Sequence, residues 1–164
     1  MIVADTGAII ALIDRSERNH RILRELYEAD PHAWTLPWAI LPEVDYLLAT
    51  HVSQKAQEAF LADLAGGTLH VTWGEDGDVD VAQQIIARHR ALKLGLVDAV
   101  VMATAIRLGA QAIATLDVRH FSARTFGQVY VPAANVFLGA LTLLLVLGFR
   151  SSDALAGAYG VAVS

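Results

Sequence analysis

Residues 2–8 have the sequence Ile-Val-Ala-Asp-Thr-Gly-Ala, in which a short apolar run ends on a carboxylate. An apolar run rich in β-branched residues and bounded by a polar residue is typical of a buried strand, so we predict a strand over Ile2–Ala4. The segment Thr6–Ile13 that follows is predicted to be a short helix. Ligands of open α/β sheets bind beyond the carboxyl ends of the strands. Asp5 is therefore a candidate functional residue.

The rest of the chain alternates in the same way between short apolar runs and segments with helical spacing. Further strands are predicted over 33–36, 69–72, 112–115 and 128–131. Helices are predicted over 16–29, with Ser16 as cap and Ile22 among its apolar residues, and over 38–49, 53–65, 78–90 and 96–108. Strands that alternate with helices predict the α/β class, with a mainly parallel sheet flanked by helices.

Composition limits the classes of function. The 164 residues contain no cysteine, which excludes disulfides, thiolate zinc sites and a cysteine nucleophile. The first residues lack a basic segment followed by an apolar run, so we expect no signal peptide and a cytoplasmic location. A net charge of −5 argues against a nucleic-acid binder, unless several carboxylates are committed to metal ions.

Four acids stand apart because apolar residues surround them in the sequence. Asp5 and Asp117 follow predicted strands, whereas Glu43 and Asp98 have apolar neighbours at helical spacing and are expected to point inward. A buried carboxylate without a partner is costly, and no buried Lys or Arg is evident, so a cation is expected. Oxygen ligands suit Mg²⁺ or Mn²⁺ better than zinc. The competing interpretation is that each acid alone is an ordinary cap or turn residue.

Other acids and aromatic residues receive simpler interpretations. Position 7 is Gly, which removes the second acid of a haloacid-dehalogenase-type phosphatase, and no phosphate-binding glycine loop follows it. The acidic cluster at 75–80 lacks the ligand spacing of an EF-hand, so we interpret it as a loop and a helix N-terminus. The three tryptophans are assigned to the core or an interface rather than to base stacking.

Four segments together resemble a known family. The segments 2–8, 41–44 (Leu-Pro-Glu-Val), 94–99 (Leu-Gly-Leu-Val-Asp-Ala) and 114–121 (Ala-Thr-Leu-Asp-Val-Arg-His-Phe) look like the four acidic blocks of PIN-domain ribonucleases. They are most similar to those of the VapC-type toxins of bacterial toxin–antitoxin modules. The resemblance covers residues 1 to about 126, with the blocks in the family's order and spacing. It implies a PIN-like three-layer sandwich.

The resemblance also implies an activity. A PIN ribonuclease would hold one or two Mg²⁺ ions, with Mn²⁺ as an alternative, and metal-bound water would attack an RNA phosphodiester. It implies an RNA substrate, a cognate antitoxin and a homodimer. The implied metal ligands and catalytic residues are Asp5, Glu43, Asp98 and Asp117; the supporting hydroxyls are Thr6 and Thr115. Basic residues beside the acidic blocks are candidate RNA contacts, although ordinary surface roles fit them equally well: Arg15, Lys93, Arg119 and His120.

The composition changes after about residue 127. We divide the chain into a PIN-like domain over 1–127 and an apolar tail over 128–164, with a candidate last strand at 128–131 and a borderline membrane segment at 131–149. The tail resembles an internal piece of the KUP family of potassium uptake permeases. Three origins stay open, in this order: a gene-fusion or frameshift remnant, a sequence-assembly error, and a membrane-tethered ribonuclease.

Three functional hypotheses follow. The first is a Mg²⁺-dependent endoribonuclease that acts as the toxin of a toxin–antitoxin module. The second is a PIN-fold binding module that has lost catalysis. The third is a membrane-associated fusion fragment, for which contact of the tail with a membrane would be the relevant property.

Overall fold

The computed structural model describes residues 1–117, all within the first of two units into which the chain divides, Met1–Val129. The predicted strand at 128–131 and the segment at 131–149 lie outside the described residues. No helix within residues 1–117 has the length and apolar character needed to cross a membrane. The strands are β1 (Ile2–Ala4), β2 (Trp34–Pro37), β3 (Val71–Thr72) and β4 (Ala112–Ala114). The α-helices are α1 (Thr6–Ile13), α2 (His20–Ala29), α3 (Leu41–Leu47), α4 (Gln54–Ala65), α5 (Asp76–Arg88) and α6 (Leu96–Arg107).

The four strands form one parallel sheet in the order β3-β2-β1-β4. Ile2 is paired with Trp34 on one side and with Ala112 on the other, so β1 lies inside the sheet. The chain moves outward from β1 to β3 and then returns to place β4 on the opposite side of β1. The strand order therefore reverses between β1 and β4, and such a switch point is where open α/β sheets bind ligands.

Helices cover the sheet, as an all-parallel sheet requires. Contacts join α1 to α2 and to α3, α3 to α4, and α5 to α6. This grouping is the one expected when right-handed crossovers place α1–α4 on one face and α5 and α6 on the other, since the direction of the chain reverses after β3. The largest fully buried side chains come from both faces and from the sheet, and they include Phe60, Ile9, Leu36, Ile40, Leu48 and Met102. The predicted α/β sandwich with a parallel sheet is confirmed.

Several predicted boundaries are wrong at the first helical turn. Helix α2 begins at His20 with Asn19 as N-cap, not at Ser16. The backbone N–H and hydroxyl of Ser16 instead donate to Asp14 Oδ1, at 2.9 and 2.7 Å, in a local turn. Ile22, one of the apolar residues at helical spacing in this helix, is 55% exposed. By contrast, Ser53 accepts the Ala56 N–H at 3.1 Å and caps α4 as predicted.

Two other elements are shorter than predicted. The predicted helix over 38–49 is divided into a 3₁₀ turn over Trp38–Ile40, α3, and a π-helical segment over Leu48–Val52. Strand β3 contains two residues rather than four, because only Val71 and Thr72 pair with β2. Short 3₁₀ segments over Pro31–Ala33 and Arg90–Leu92 form two connections, so Ala33 is not in the strand and Arg90 is not in the α-helix to which they were predicted to belong.

The acidic segment at 75–80 contains a buried ion pair that the sequence interpretation missed. Asp78 is 3% exposed, and its two oxygens accept from Arg107 Nε at 2.8 Å and Nη2 at 3.0 Å. Arg107 also donates to Glu75 Oε1 at 3.0 Å and to the Trp73 carbonyl at 3.2 Å. Hydrogen bonding from the Arg107 guanidinium holds the pKa of Asp78 below its usual value. This network joins the start of α5 to the end of α6.

Candidate active site

A cavity of about 590 Å³ opens where the strand order reverses. Its lining includes the four predicted acids, which come from four different elements of the chain. Asp5 follows β1 and Asp117 lies just beyond β4, while Glu43 is in the first turn of α3 and Asp98 is in the first turn of α6. The tertiary fold therefore brings together carboxylates that are up to 112 residues apart in the sequence.

Both the backbone and the side chain of Asp5 are anchored by hydrogen bonds. Its N–H donates to the Ala114 carbonyl at 2.9 Å, and its side chain is buried, at 7% exposure for the residue. The Thr115 hydroxyl donates to Asp5 Oδ2 at 2.9 Å, and the same oxygen of Thr115 accepts the Asp117 N–H at 3.0 Å. One hydroxyl therefore orients the Asp5 carboxylate and the backbone that carries Asp117.

Electrostatics shows that the acids affect one another. Burial raises the pKa of Asp5, and the hydrogen bonds from Thr115 and from the Thr6 backbone oppose that effect only in part. The negative charges of Asp98 and Glu43 raise the pKa further. A carboxylate that is buried beside other carboxylates favours a nearby cation. The cation offsets the repulsion between the negative charges and part of the free-energy cost of burying them.

The expectation that Glu43 points inward is wrong, because the residue is exposed. Its carboxylate nevertheless lines the cavity, and Glu43 Oε2 accepts from the Thr6 hydroxyl at 2.7 Å. Thr6 is buried at the start of α1, so it links that helix to α3. Glu43 is exposed because the cavity that it lines is open to solvent.

Asp98 occupies an intermediate position, since it is only partly buried. Its Oδ2 accepts the Gly95 N–H at 3.1 Å, which closes the first turn of α6. Asp117 is partly buried as well. Asp98 therefore both closes the first turn of α6 and lines the cavity.

The donor chemistry at this cavity suits a hard divalent cation. All four charged groups are carboxylates, and two of them are already oriented by threonine hydroxyls. Within residues 1–117, however, no three Asp, Glu or His side chains are grouped closely enough to hold an ion. A cation would therefore have to draw the carboxylates closer together. The residues fit Mg²⁺ or Mn²⁺ by charge and ligand type.

The predicted basic contacts are not found at the cavity among the described residues. Arg15 lines a different cavity, of about 470 Å³, together with Arg24 and Tyr27. Lys93 is exposed and adopts a left-handed backbone conformation, with φ of 53°. Arg119 and His120 lie outside the described residues. The cavity rim that the sequence interpretation missed is apolar and consists of Leu47 and Leu116. Leu47 follows Glu43 by four residues in the sequence. This helical spacing could have predicted that the two side chains lie on the same side of the helix.

The C-terminal part of the chain matches a second kind of protein. A family model described as the K+ potassium transporter integral membrane domain matches residues 95–164. A probable potassium transport system protein Kup of Anaeromyxobacter sp. is 52% identical over 60 residues, which are 37% of this chain. The chain spans only 9% of that relative's length. The tail thus matches a fragment of a transporter, as its sequence indicated.

The larger match covers the described fold and its cavity. The family model for the PIN domain matches residues 2–126. Ribonuclease VapC26 of Mycobacterium tuberculosis is 32% identical over 122 residues, which are 74% of this chain and 90% of the relative. The crystal structure of M. tuberculosis VapC20, a sarcin–ricin loop cleaving toxin, superposes with a TM-score of 0.68 at 22% identity, over 75% of this chain and 95% of that one. At 22% identity, the similarity to VapC20 shows a shared fold and nothing further. The chain therefore belongs to the PIN domain family, with a C-terminal region that matches Kup potassium transporter fragments.

Proposed function

We propose that this chain is a metal-dependent endoribonuclease of the VapC type. The observation that supports this most directly is the convergence of Asp5, Glu43, Asp98 and Asp117 on one cavity at the switch point of the sheet. The relationship to a protein named as a ribonuclease supplies the reaction class. The cavity, at about 590 Å³, is large enough for a phosphodiester and its flanking groups.

In the proposed mechanism, Asp5, Asp98, Asp117 and Glu43 would hold Mg²⁺, with Mn²⁺ as an alternative. A bound ion of this kind supplies charge stabilisation at the phosphate and a water of lowered pKa. The chain's own contribution is orientation. The Thr115 hydroxyl directs the Asp5 carboxylate, the Thr6 hydroxyl directs Glu43, and the Gly95 N–H fixes Asp98. Such supporting contacts hold ligands in a productive arrangement before substrate binds.

The decisive experiment is cleavage of a mixed RNA pool by the full chain, with Mg²⁺ or with EDTA. Asp98→Asn is the test variant, and Asp80→Asn is a matched control because Asp80 is an exposed acid on α5. We expect metal-dependent cutting that persists in Asp80→Asn and falls at least 100-fold in Asp98→Asn, because loss of one carboxylate weakens the cation site. Equal activity of the two variants, or cutting in EDTA, would contradict the proposal.

A PIN-fold binding module without catalysis is the second candidate. It is favoured by the spacing of the acids, which are not grouped as an ion site among residues 1–117. The two candidates differ in one measurement. A folded chain that binds RNA but cuts none of it with either Mg²⁺ or Mn²⁺ supports the binding module.

We further propose that the activity is that of a toxin restrained by a protein antitoxin, and that the active form is a homodimer. Induced expression in bacteria should arrest growth, and Asp98→Asn should abolish the arrest. Light scattering should give the mass of two chains. An arrest by Asp98→Asn equal to that by the unaltered chain would contradict a toxin role that depends on RNA cleavage.

We also propose the division into residues 1–127 and 128–164, with the first as the ribonuclease domain. The fraction of expressed protein that sediments with membranes should fall when the tail is removed, because the segment 131–149 is predominantly apolar and such segments promote association when they are exposed. The removal should leave RNA cleavage unchanged. Ion transport is not part of this proposal, since the match covers only 9% of the length of the Kup relative.

A further inference from the structure

Two histidines face each other at the amino-terminal edge of the sheet, away from the carboxylate cavity. His32 lies in the 3₁₀ turn before β2, and His70 lies directly before β3. His32 Nδ1 and His70 Nε2 are 3.4 Å apart, and the ring centroids are 5.7 Å apart. Both residues are exposed, so water reaches the pair.

The distance between these nitrogens is the one that a tetrahedral metal ion requires. With Zn–N bonds of about 2.0–2.1 Å and tetrahedral angles, two ligand nitrogens are separated by about 3.3–3.4 Å. Imidazole is a preferred ligand of zinc and related transition metals, whereas carboxylate and water suit Mg²⁺. The pair therefore differs in chemistry from the cavity at the opposite edge.

The backbone around the pair is already positioned. The His70 carbonyl accepts the Leu36 N–H at 2.8 Å and the Thr35 hydroxyl at 3.3 Å. The Thr35 and Thr72 hydroxyls are 2.6 Å apart, which adds a second contact between β2 and β3. These bonds fix the backbone of His70 against β2 without any ion.

We propose that His32 and His70 form a binding site for a transition-metal dication of the zinc class. Each imidazole presents one nitrogen lone pair to the ion, in place of the contact between His32 Nδ1 and His70 Nε2. Among residues 1–117 no third His, Asp or Glu completes a group of ligands, so water fills the other positions. The ion joins the turn before β2 to β3, the short edge strand of the described sheet, and thereby stabilises that edge.

The test is titration of the full chain with Zn²⁺ by calorimetry, after removal of metals by a chelator. The variants are His32→Ala and His70→Ala. His51→Ala is the control, because His51 is exposed but contacts Thr50 rather than another histidine. Asp5→Asn is included to separate the histidine pair from the carboxylate cavity.

We expect a zinc equivalent whose affinity falls at least tenfold in His32→Ala and in His70→Ala. The affinity should stay within twofold of the original in His51→Ala and in Asp5→Asn. Zinc should also raise the melting temperature of the unaltered chain, with a smaller rise in each pair variant. Circular dichroism of the variants verifies that they are folded.

Co²⁺ provides an independent spectroscopic readout. When Co²⁺ is bound in place of Zn²⁺, it should give visible absorption bands with the high intensity that is typical of tetrahedral coordination. These bands should disappear in His32→Ala. Zinc binding that persists unchanged in both pair variants, or no saturable binding at all, would overturn the proposal. The result is independent of RNA cleavage, because the proposal uses no residue of the carboxylate cavity.

Discussion

Thr115 contacts two parts of the candidate site through one hydroxyl group. It donates to Asp5 Oδ2 at 2.9 Å and accepts the Asp117 N–H at 3.0 Å. A valine at this position would keep the shape of the side chain and remove both hydrogen bonds. A substitution at Thr115 therefore changes the orientation of the carboxylates without changing their charge.

We predict that Thr115→Val lowers RNA cleavage about 10- to 100-fold, the usual effect of removing a contact that orients a metal ligand. Thr115→Ser keeps the hydroxyl and should stay within a few-fold of the original rate. The measurement is cleavage rate against Mg²⁺ concentration, with melting temperature as the check on folding. Equal rates for the Val and Ser variants would show that the hydroxyl has no orienting role.

Asp5 leads to a prediction about stability without metal. Its pKa is raised in the folded state, mainly by burial and then by Asp98 and Glu43. The folded chain therefore binds more protons than the unfolded chain between the ordinary and the raised pKa. The free energy of unfolding falls as the pH rises through that window, and the loss persists at higher pH.

Asp5→Asn should consequently raise the melting temperature in EDTA at pH 7 and remove this part of the pH dependence. The amide oxygen of Asn can still accept from Thr115, so the hydrogen bond is retained. The variant should cleave no RNA. A lower melting temperature of Asp5→Asn in EDTA would contradict the assigned cost of the buried charge.

Helices α5 and α6 are held together by the buried pair of Asp78 and Arg107. Arg107→Met leaves the Asp78 carboxylate buried and without this partner, which should cost about 3 kcal/mol of unfolding free energy. The low end of the usual range applies because the Arg107 side chain is 23% exposed. Chemical denaturation measures the change, and Arg88→Met, at an exposed arginine of α5, is the matched control.

The same pair predicts a dependence on acid. The pKa of Asp78 is lowered in the folded state, chiefly by its hydrogen bonds to Arg107. Its contribution to stability is present above the ordinary carboxyl pKa and is lost as the pH falls through the lowered value. The difference in stability between the original chain and Arg107→Met should therefore narrow at acidic pH. A constant difference from neutral to strongly acidic pH would contradict the role of the pair.

The whole domain should respond to the cation that its carboxylates are proposed to hold. A ligand that binds only the folded state stabilises it by about 2.7 kcal/mol at 100 times its dissociation constant. We predict that Mg²⁺ or Mn²⁺ raises the melting temperature of the full chain by several degrees and that EDTA reverses the rise. Asp98→Asn should abolish most of the effect. A rise of equal size in Asp98→Asn would place the responsible ion elsewhere.

Features that depend on local geometry could be predicted from the sequence alone. Alternating apolar runs and helical spacing correctly predicted the parallel α/β architecture, the position of β1 and the Ser53 cap, because these follow from the period of side chains along a single segment. The acidic blocks following β1 and β4 were also evident, since they lie within a few residues of strand ends. The start of α2 was not predicted, because Asp14 bonds to Ser16 in a competing local turn.

Contacts between groups that are distant in the sequence could not be predicted, because they depend on the tertiary fold. The hydrogen bonds from Thr115 to Asp5 and from Thr6 to Glu43 span 110 and 37 residues, the Asp78–Arg107 pair spans 29, and the two facing histidines are 38 residues apart. Each contact depends on the order of the strands and on which helix crosses which face of the sheet. A periodic pattern indicates which side of its own helix or strand is buried. It does not indicate which other segment packs against that side. The openness of the cavity, which exposes Glu43, arises in the same way from the packing of several segments.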